Sequence, residues 1–209
     1  MDSSASSHAL LVIDMQNSFC HPDGVMRSLA GPIHRLDEQV STLGRTITEM
    51  RSLGVPIVYL RMVFQPNYAD ADAVFRRLVP EAMRRGGLAR GTWDAEIIDE
   101  LAPHPEDTVV DKTRFDGFLA TPLAAILTNM GVRHVLVSGA YTNVCVETTC
   151  KSAYQYDFEP VLFADCVGAL NQRVHDRAID VLRESPFAEI TNSKDYLARI
   201  ADGQEPVVA

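Results

Sequence analysis

Apolar positions along the chain follow two alternating rhythms. Ala9–Asp14 begins as an unbroken apolar run and predicts a short buried strand. After a loop, Gly31-Pro32 opens a segment in which Ile33, Leu36, Val40, Leu43, Ile47, Met50 and Leu53 recur three and four residues apart, closed by Gly54. That spacing predicts an amphipathic helix. The β-branched runs Val55–Val63, Thr108–Asp111, Val135–Val137 and Val161–Phe163 predict four further strands. Helical patterns are interleaved with them: Thr121-Pro122 through Leu123, Ile126, Leu127 and Met130 to Gly131, then Thr142–Tyr156, then about Asn171–Leu182. Buried strands alternating with helices need crossover connections, and these build parallel sheets covered on both faces. The predicted class is therefore α/β: one domain, a doubly wound parallel β-sheet in a Rossmann-like three-layer sandwich. Residues 1–8 are rich in serine and read as a disordered tail, which leaves 9–205 for the domain. Phe64 to Trp93 shows no clear rhythm and reads as one long irregular segment, a lid, a binding loop or an assembly surface.

Composition removes several classes. With 46% hydrophobic and 22% charged residues the chain is neither disordered, collagen-like nor a coiled coil. Its 28 acidic against 19 basic residues leave a net charge of −9, which repels phosphate backbones and anionic lipid, so neither nucleic acid nor membrane is an expected partner. The first basic residue is Arg27 and Asp14 interrupts the early apolar run, so neither a signal peptide nor a membrane span is predicted, and the expected location is cytoplasmic. Cys20, Cys145, Cys150 and Cys166 form no Cys-x-x-Cys pair and are too few for a disulfide framework, which predicts free thiols. Gly86-Gly87 follows no strand, so there is no glycine-rich phosphate fingerprint.

In open α/β sheets the ligand crevice lies outside the carboxyl ends of the strands. Three reactive residues fall there: Asp14 at the end of the first predicted strand, Lys112 after the third and Cys145 after the fourth. Cys145 is expected on the first turn of a helix, where unpaired N–H groups, the dipole and a nearby Lys112 ammonium favour thiolate over thiol. Asp14 is placed to take the thiol proton and deliver it to a leaving amine. Backbone amides of Tyr141 and Cys145 are the candidate oxyanion donors, each contributing roughly 3 kcal/mol. Taken singly, each residue has a plainer use: a cysteine packs as a small core hydrophobe, an aspartate turns or caps, a lysine is solvated. Cys150 and Cys166 read as such core residues. Only convergence of the three separates the chemical reading from the plain one.

Three motifs carry a resemblance. Leu-Leu-Val-Ile-Asp-Met-Gln-Asn-Ser-Phe (10–19), Asp-Lys-Thr-Arg-Phe-Asp-Gly-Phe (111–118) and Ser-Gly-Ala-Tyr-Thr-Asn-Val-Cys-Val-Glu-Thr-Thr (138–149) together resemble the isochorismatase-like cysteine hydrolases over about residues 9–195. The resemblance implies an Asp–Lys–Cys triad, here Asp14, Lys112 and Cys145, and a non-proline cis peptide at Ala140–Tyr141. It also implies a homo-oligomer, a dimer or a tetramer. Nicotinamidases of this family carry an Asp-x-His metal site after the second strand, whereas this chain has no histidine between His34 and His104, so no metal and no cofactor are expected. Isochorismatases proper lack the nucleophilic cysteine, so Cys145 points to C–N hydrolysis. Residues 91–101 with the last two motifs resemble the branch that holds ureidoacrylate amidohydrolase, N-carbamoylsarcosine amidase and biuret hydrolases. The expected activity is metal-independent hydrolysis of a small linear amide, ureido or N-carbamoyl compound. The alternatives are another scissile bond (a lactam, an ester or an isochorismatase-type ether) or an inactive interaction module.

Softer candidates surround this core. Phe19, Phe64, Trp93, Phe115, Phe118 and Tyr141 are candidate pocket walls, though such aromatics also serve as plain core. Arg114, or one of Arg76, Arg77, Arg84, Arg85 and Arg90, is a candidate receptor for a substrate carboxylate; the five-arginine cluster reads equally as a solvated or subunit-contact face. Asn143 is placed either to contact substrate or to cap the helix. His21 and His175 are not needed, because the triad already contains its base.

Overall fold

A computed structural model describes residues 7–185 and 187–202. Six strands, β1 (His8–Ile13), β2 (Ile57–Met62), β3 (Thr108–Lys112), β4 (His134–Ala140), β5 (Glu159–Gly168) and β6 (Glu189–Thr191), form a single parallel sheet in the order β3-β2-β1-β4-β5-β6. The order reverses between β1 and β4, the switch point where open α/β sheets leave a crevice. β1 is central and buried along its whole length, which is why it reads as an apolar run without alternation. Right-handed crossovers leaving the switch point in opposite directions put their helices on opposite faces. After the short helices α1 (Asn17–Cys20) and α2 (Val25–Ala30), the helix α3 (Leu36–Ser52) packs with the last helix, Ser193–Ala201, against β5 on one face, while the helix Glu147–Gln155, which joins β4 to β5, also packs on β5.

Several expected boundaries move. β1 begins at His8, whose side chain is buried, so residue 8 belongs to the sheet; the rest of the expected tail, residues 1–6, and residues 203–209 lie outside the described residues. The helical rhythm that starts at Ile33 is delayed to Leu36, because Arg35 takes a left-handed backbone with φ 56°. Within α3 the buried positions Gln39, Leu43, Thr46, Ile47 and Met50 keep the three-and-four spacing. The Phe64–Trp93 stretch is not irregular throughout. It holds the short helices α4 (Ala73–Leu78) and α5 (Pro80–Arg84), and a bridge between Phe64 and Ala89 closes it where it began. These helices are too short for periodicity to show, and Pro80 separates them. The three-residue β6 and the last helix carry no element in the sequence reading.

Pairing register aligns the site. Ile13 lies opposite Leu60 and Gly139, and Met62 opposite Lys112, so the carboxyl ends of β1 to β4 finish side by side. Gly139, with φ +113°, allows this: a Cβ there would lie 2.1 Å from the Ile13 carbonyl oxygen.

Candidate active site

Asp14 follows the last residue of β1 with φ 54°, a left-handed backbone that is uncommon outside glycine and clusters at functional sites. Its N–H still donates to the Leu60 carbonyl at 2.9 Å, so the residue stays pinned to β2 while its carboxylate faces across the sheet. Lys112, the last residue of β3, spends its three ammonium hydrogens on three acceptors: Asp14 Oδ2 at 2.8 Å, the Arg114 carbonyl at 3.1 Å and Cys145 Sγ at 3.6 Å. The structure therefore brings together the three residues that converge only as an expectation from sequence. Asp14 and Lys112 are each 1% exposed and Cys145 4%, so the cluster is withdrawn from bulk water.

Cys145 does not sit on an ordinary first helical turn. Residues Thr142–Val146 form a single π-helical turn that runs into the α-helix Glu147–Gln155, and the Val144 and Val146 N–H groups both donate to the Tyr141 carbonyl. Such wide turns recur at functional sites. The Ala140–Tyr141 peptide bond that leads into it is cis. Thr142 ties the turn to the next helix through its hydroxyl, 3.1 Å from His175 Nδ1.

The electrostatics correct one expectation. Burial above all, then the Asp14 carboxylate, push the Cys145 thiol well above its ordinary value, and Lys112 only partly opposes them. These surroundings favour the thiol form, against the thiolate expected from the helix terminus and Lys112. For Lys112, burial pulls the ammonium down, but the Asp14 and Cys145 interactions outweigh it and hold the group above its usual range. The other three cysteines are raised to about 12, each chiefly by burial, from an ordinary thiol value of 9.0. An unfolded chain releases these protons near pH 9 while the folded protein keeps them, so stability falls as pH rises above 9 toward 12. The unfolding free energy read from urea titrations should drop between about pH 8 and pH 10, by up to ~1.4 kcal/mol per thiol for each pH unit above about 9, and more shallowly in Cys150→Ala. Equal unfolding free energies at the two pH values would contradict this.

The other candidates are dispersed. Phe19 is buried and meets Tyr141 edge-on, with ring centroids 5.7 Å apart. Phe118 is corrected from pocket wall to core: its ring stacks on Tyr156 and Phe158 at 5.2 and 5.8 Å. Phe64 is likewise buried against Tyr68 and Phe75. Trp93 is 51% exposed, packs edge-on to His21 and lines an open groove with Cys20 and Arg27, not the triad. Phe115 is exposed, and Asn143 lies exposed within the π-helical turn instead of capping it. Arg114 donates to the Asp70 and Thr113 carbonyls and lies 4.0 Å from Asp72. Of the five loop arginines, Arg76 donates to the Tyr68, Ala69 and Ala71 carbonyls, Arg84 pairs with Glu81, Arg85 reaches Ser28 and Arg90 pairs with Asp111. Arg77 makes no such contact among the described residues.

Two buried polar residues escape the sequence reading. Gln16 accepts from Met62 N–H and donates to the Met62 and Ala95 carbonyls, and Asp94 accepts from the Val25 and Leu88 N–H groups at 2.8 Å. Together they lash the loops after β1 and β2 to each other beside the triad. The available signals were polar residues embedded in the quoted segments at 10–19 and 91–101, whose partners are distant in sequence.

This sheet order and this site define an isochorismatase-type α/β hydrolase. The Isochorismatase domain family matches residues 8–195, and the chain belongs to that family. Among curated proteins it is 30% identical over 208 residues to ureidoacrylate amidohydrolase RutB of Variovorax paradoxus (strain S110), covering 94% of this chain and 82% of that protein. Solved structures similar to it include a cysteine hydrolase from Pseudomonas syringae pv. phaseolicola 1448A (TM-score 0.86, 27% identity, 95% of this chain and 94% of the other). Another is N-carbamoylsarcosine amidase from Thermoplasma acidophilum (TM-score 0.69, 26% identity, 90% and 96%). Among the described residues, no helix is long and apolar enough to cross a membrane.

Proposed function

We propose that the chain is a cysteine amidohydrolase that cleaves a C–N bond of a small ureido or N-carbamoyl compound. The observation that carries this reading is the Lys112 ammonium held between the Asp14 carboxylate and the Cys145 thiol in a water-poor cluster. Because the thiol rests protonated, its proton passes to Asp14 as sulfur attacks the carbonyl carbon. Asp14 Oδ1 is buried and has no hydrogen-bond partner among the described residues, so it is free to receive that proton while Oδ2 stays on Lys112. The tetrahedral oxyanion is held by the backbone N–H groups of Tyr141 and Cys145, each donor worth roughly 3 kcal/mol. Asp14 then protonates the leaving nitrogen, the C–N bond breaks and ammonia or an amine departs. Water, deprotonated by Asp14, then attacks the S-carbamoyl enzyme (a thiocarbamate), the C–S bond breaks, and Asp14 returns the proton to sulfur to restore the thiol. Lys112 remains an ammonium throughout and steadies the negative charge as it moves.

The ureido preference is supported by the likeness to ureidoacrylate amidohydrolase and to N-carbamoylsarcosine amidase. A panel assay of ammonia release tests it. N-Carbamoyl amino acids, ureidoacrylate and biuret should all be turned over with higher kcat/KM than nicotinamide or an aryl ester. If either of the latter leads by tenfold, ~1.4 kcal/mol of transition-state preference, the ureido reading fails while the triad stands.

A further inference from the structure

Tyr141 stands between β4 and the Cys145 turn, with its ring held edge-on by Phe19 at 5.7 Å and 85°. Its hydroxyl oxygen is buried and has no hydrogen-bond partner among the described residues. Leaving a buried hydroxyl unpaired costs about 1–3 kcal/mol, and most buried polar atoms in folded proteins are paired. A phenylalanine would fill the same space against Phe19 without that cost, so the hydroxyl is not there for packing. Asp14 Oδ1 is a second orphaned acceptor of the same site. Tyr141 and Asp14 thus each leave one buried polar atom for a bound molecule to pair. Burial first, then the neighbouring Cys20, Cys145 and Asp14, raise the phenol, so it stays a neutral group able both to donate and to accept.

Resting on the amidohydrolase reading above, we propose that the Tyr141 hydroxyl is a specificity-determining group. It hydrogen-bonds the polar atom that a ureido or N-carbamoyl substrate carries one bond beyond the scissile carbonyl, its second nitrogen. Simple alkyl amides place a methylene there and would trap the hydroxyl unpaired, which is the strongest way a site rejects a close analogue. Charge recognition plays no part in this contact, so the selection acts on neutral and acidic ureido compounds alike.

Tyr141→Phe separates this role from a structural one. Wild-type and variant enzymes are compared in kcat and KM for biuret and N-carbamoylglycine, for propionamide as the simple amide, and in thermal midpoint. The expected result is a midpoint unchanged or raised and a ratio of ureido to propionamide kcat/KM reduced tenfold or more for both ureido compounds. A ureido-to-amide preference that moves less than twofold overturns the proposal, as does a parallel loss on all three substrates with a lowered midpoint, which is the signature of a packing role. If the wild-type enzyme prefers propionamide from the outset, the ureido reading of the function fails by itself. Where the wild-type enzyme does prefer the ureido compounds, an unmoved ratio in Tyr141→Phe overturns the present proposal alone.

Discussion

Cys145→Ala should abolish turnover, with kcat reduced on the order of 10⁵-fold or more, the scale seen when a nucleophile that acts as one unit with its partners is removed. The fold should survive, because the side chain lost is small and the surrounding β4 end and helix Glu147–Gln155 are held by their own backbone pairing. Cys150 and Cys166 are also buried and also raised in pKa, chiefly by burial, so burial by itself does not set Cys145 apart. What does is Lys112 Nζ at 3.6 Å and the Asp14 carboxylate beyond it. Cys150→Ala and Cys166→Ala should therefore keep most activity. A steady-state assay of the three variants, with circular dichroism as the folding control, decides the matter; comparable losses in all three would remove Cys145 from the mechanism.

The second large effect belongs to the buried ion pair. Asp14 and Lys112 are each 1% exposed and 2.8 Å apart, so removing one partner strands a charge where water cannot reach it. Lys112→Met should cost about 3–5 kcal/mol at neutral pH. Asp14→Asn should lower kcat at least ~10²-fold, the usual share of a positioned proton carrier. The double variant Asp14→Asn/Lys112→Met should recover most of the stability and none of the activity, because replacing both charges removes the desolvation penalty along with the chemistry. Urea denaturation across pH with parallel assays reads both quantities. A Lys112→Met variant as stable as wild type, or a double variant with wild-type rates, would show that the pair is neither strained by burial nor used in proton transfer.

Most of the sheet was legible because strand and helix rhythms are local. The run Leu10–Ile13 and the three-and-four spacing of Leu43, Ile47 and Met50 state their burial in their own order. What escaped was short or broken. The three residues of β6 and the helices on either side of Pro80 are shorter than the window in which a period shows. Arg35 ends a rhythm by its backbone, which side-chain pattern does not reveal. Among site residues, Asp14, Lys112 and Cys145 could be proposed because strand ends are readable and the fold class implies where they meet. Phe118 and Phe64 could not be told from pocket walls, since an aromatic beside a reactive motif has the same letter whether it faces substrate or core. Gln16 and Asp94 were hidden for a related reason: their partners Met62, Ala95, Val25 and Leu88 lie up to 79 residues away.

By itself the sequence determined the α/β class, the strands that end in reactive residues and the three motifs of the family, because apolar periodicity and motif spacing are properties of neighbouring residues. Only the tertiary structure decided the surroundings of the Cys145 sulfur. A helix N-terminus and a lysine nearby predict a thiolate, whereas the packed protein buries Cys145 beside a carboxylate, and both effects favour the thiol. That outcome depends on how much water and which charges surround the sulfur, and these are set by Gly139 passing against Ile13, by the left-handed turn at Asp14 and by the register that ends β3 at Lys112. Desolvation is a sum over residues far apart in the chain, so it exists only once the chain has folded.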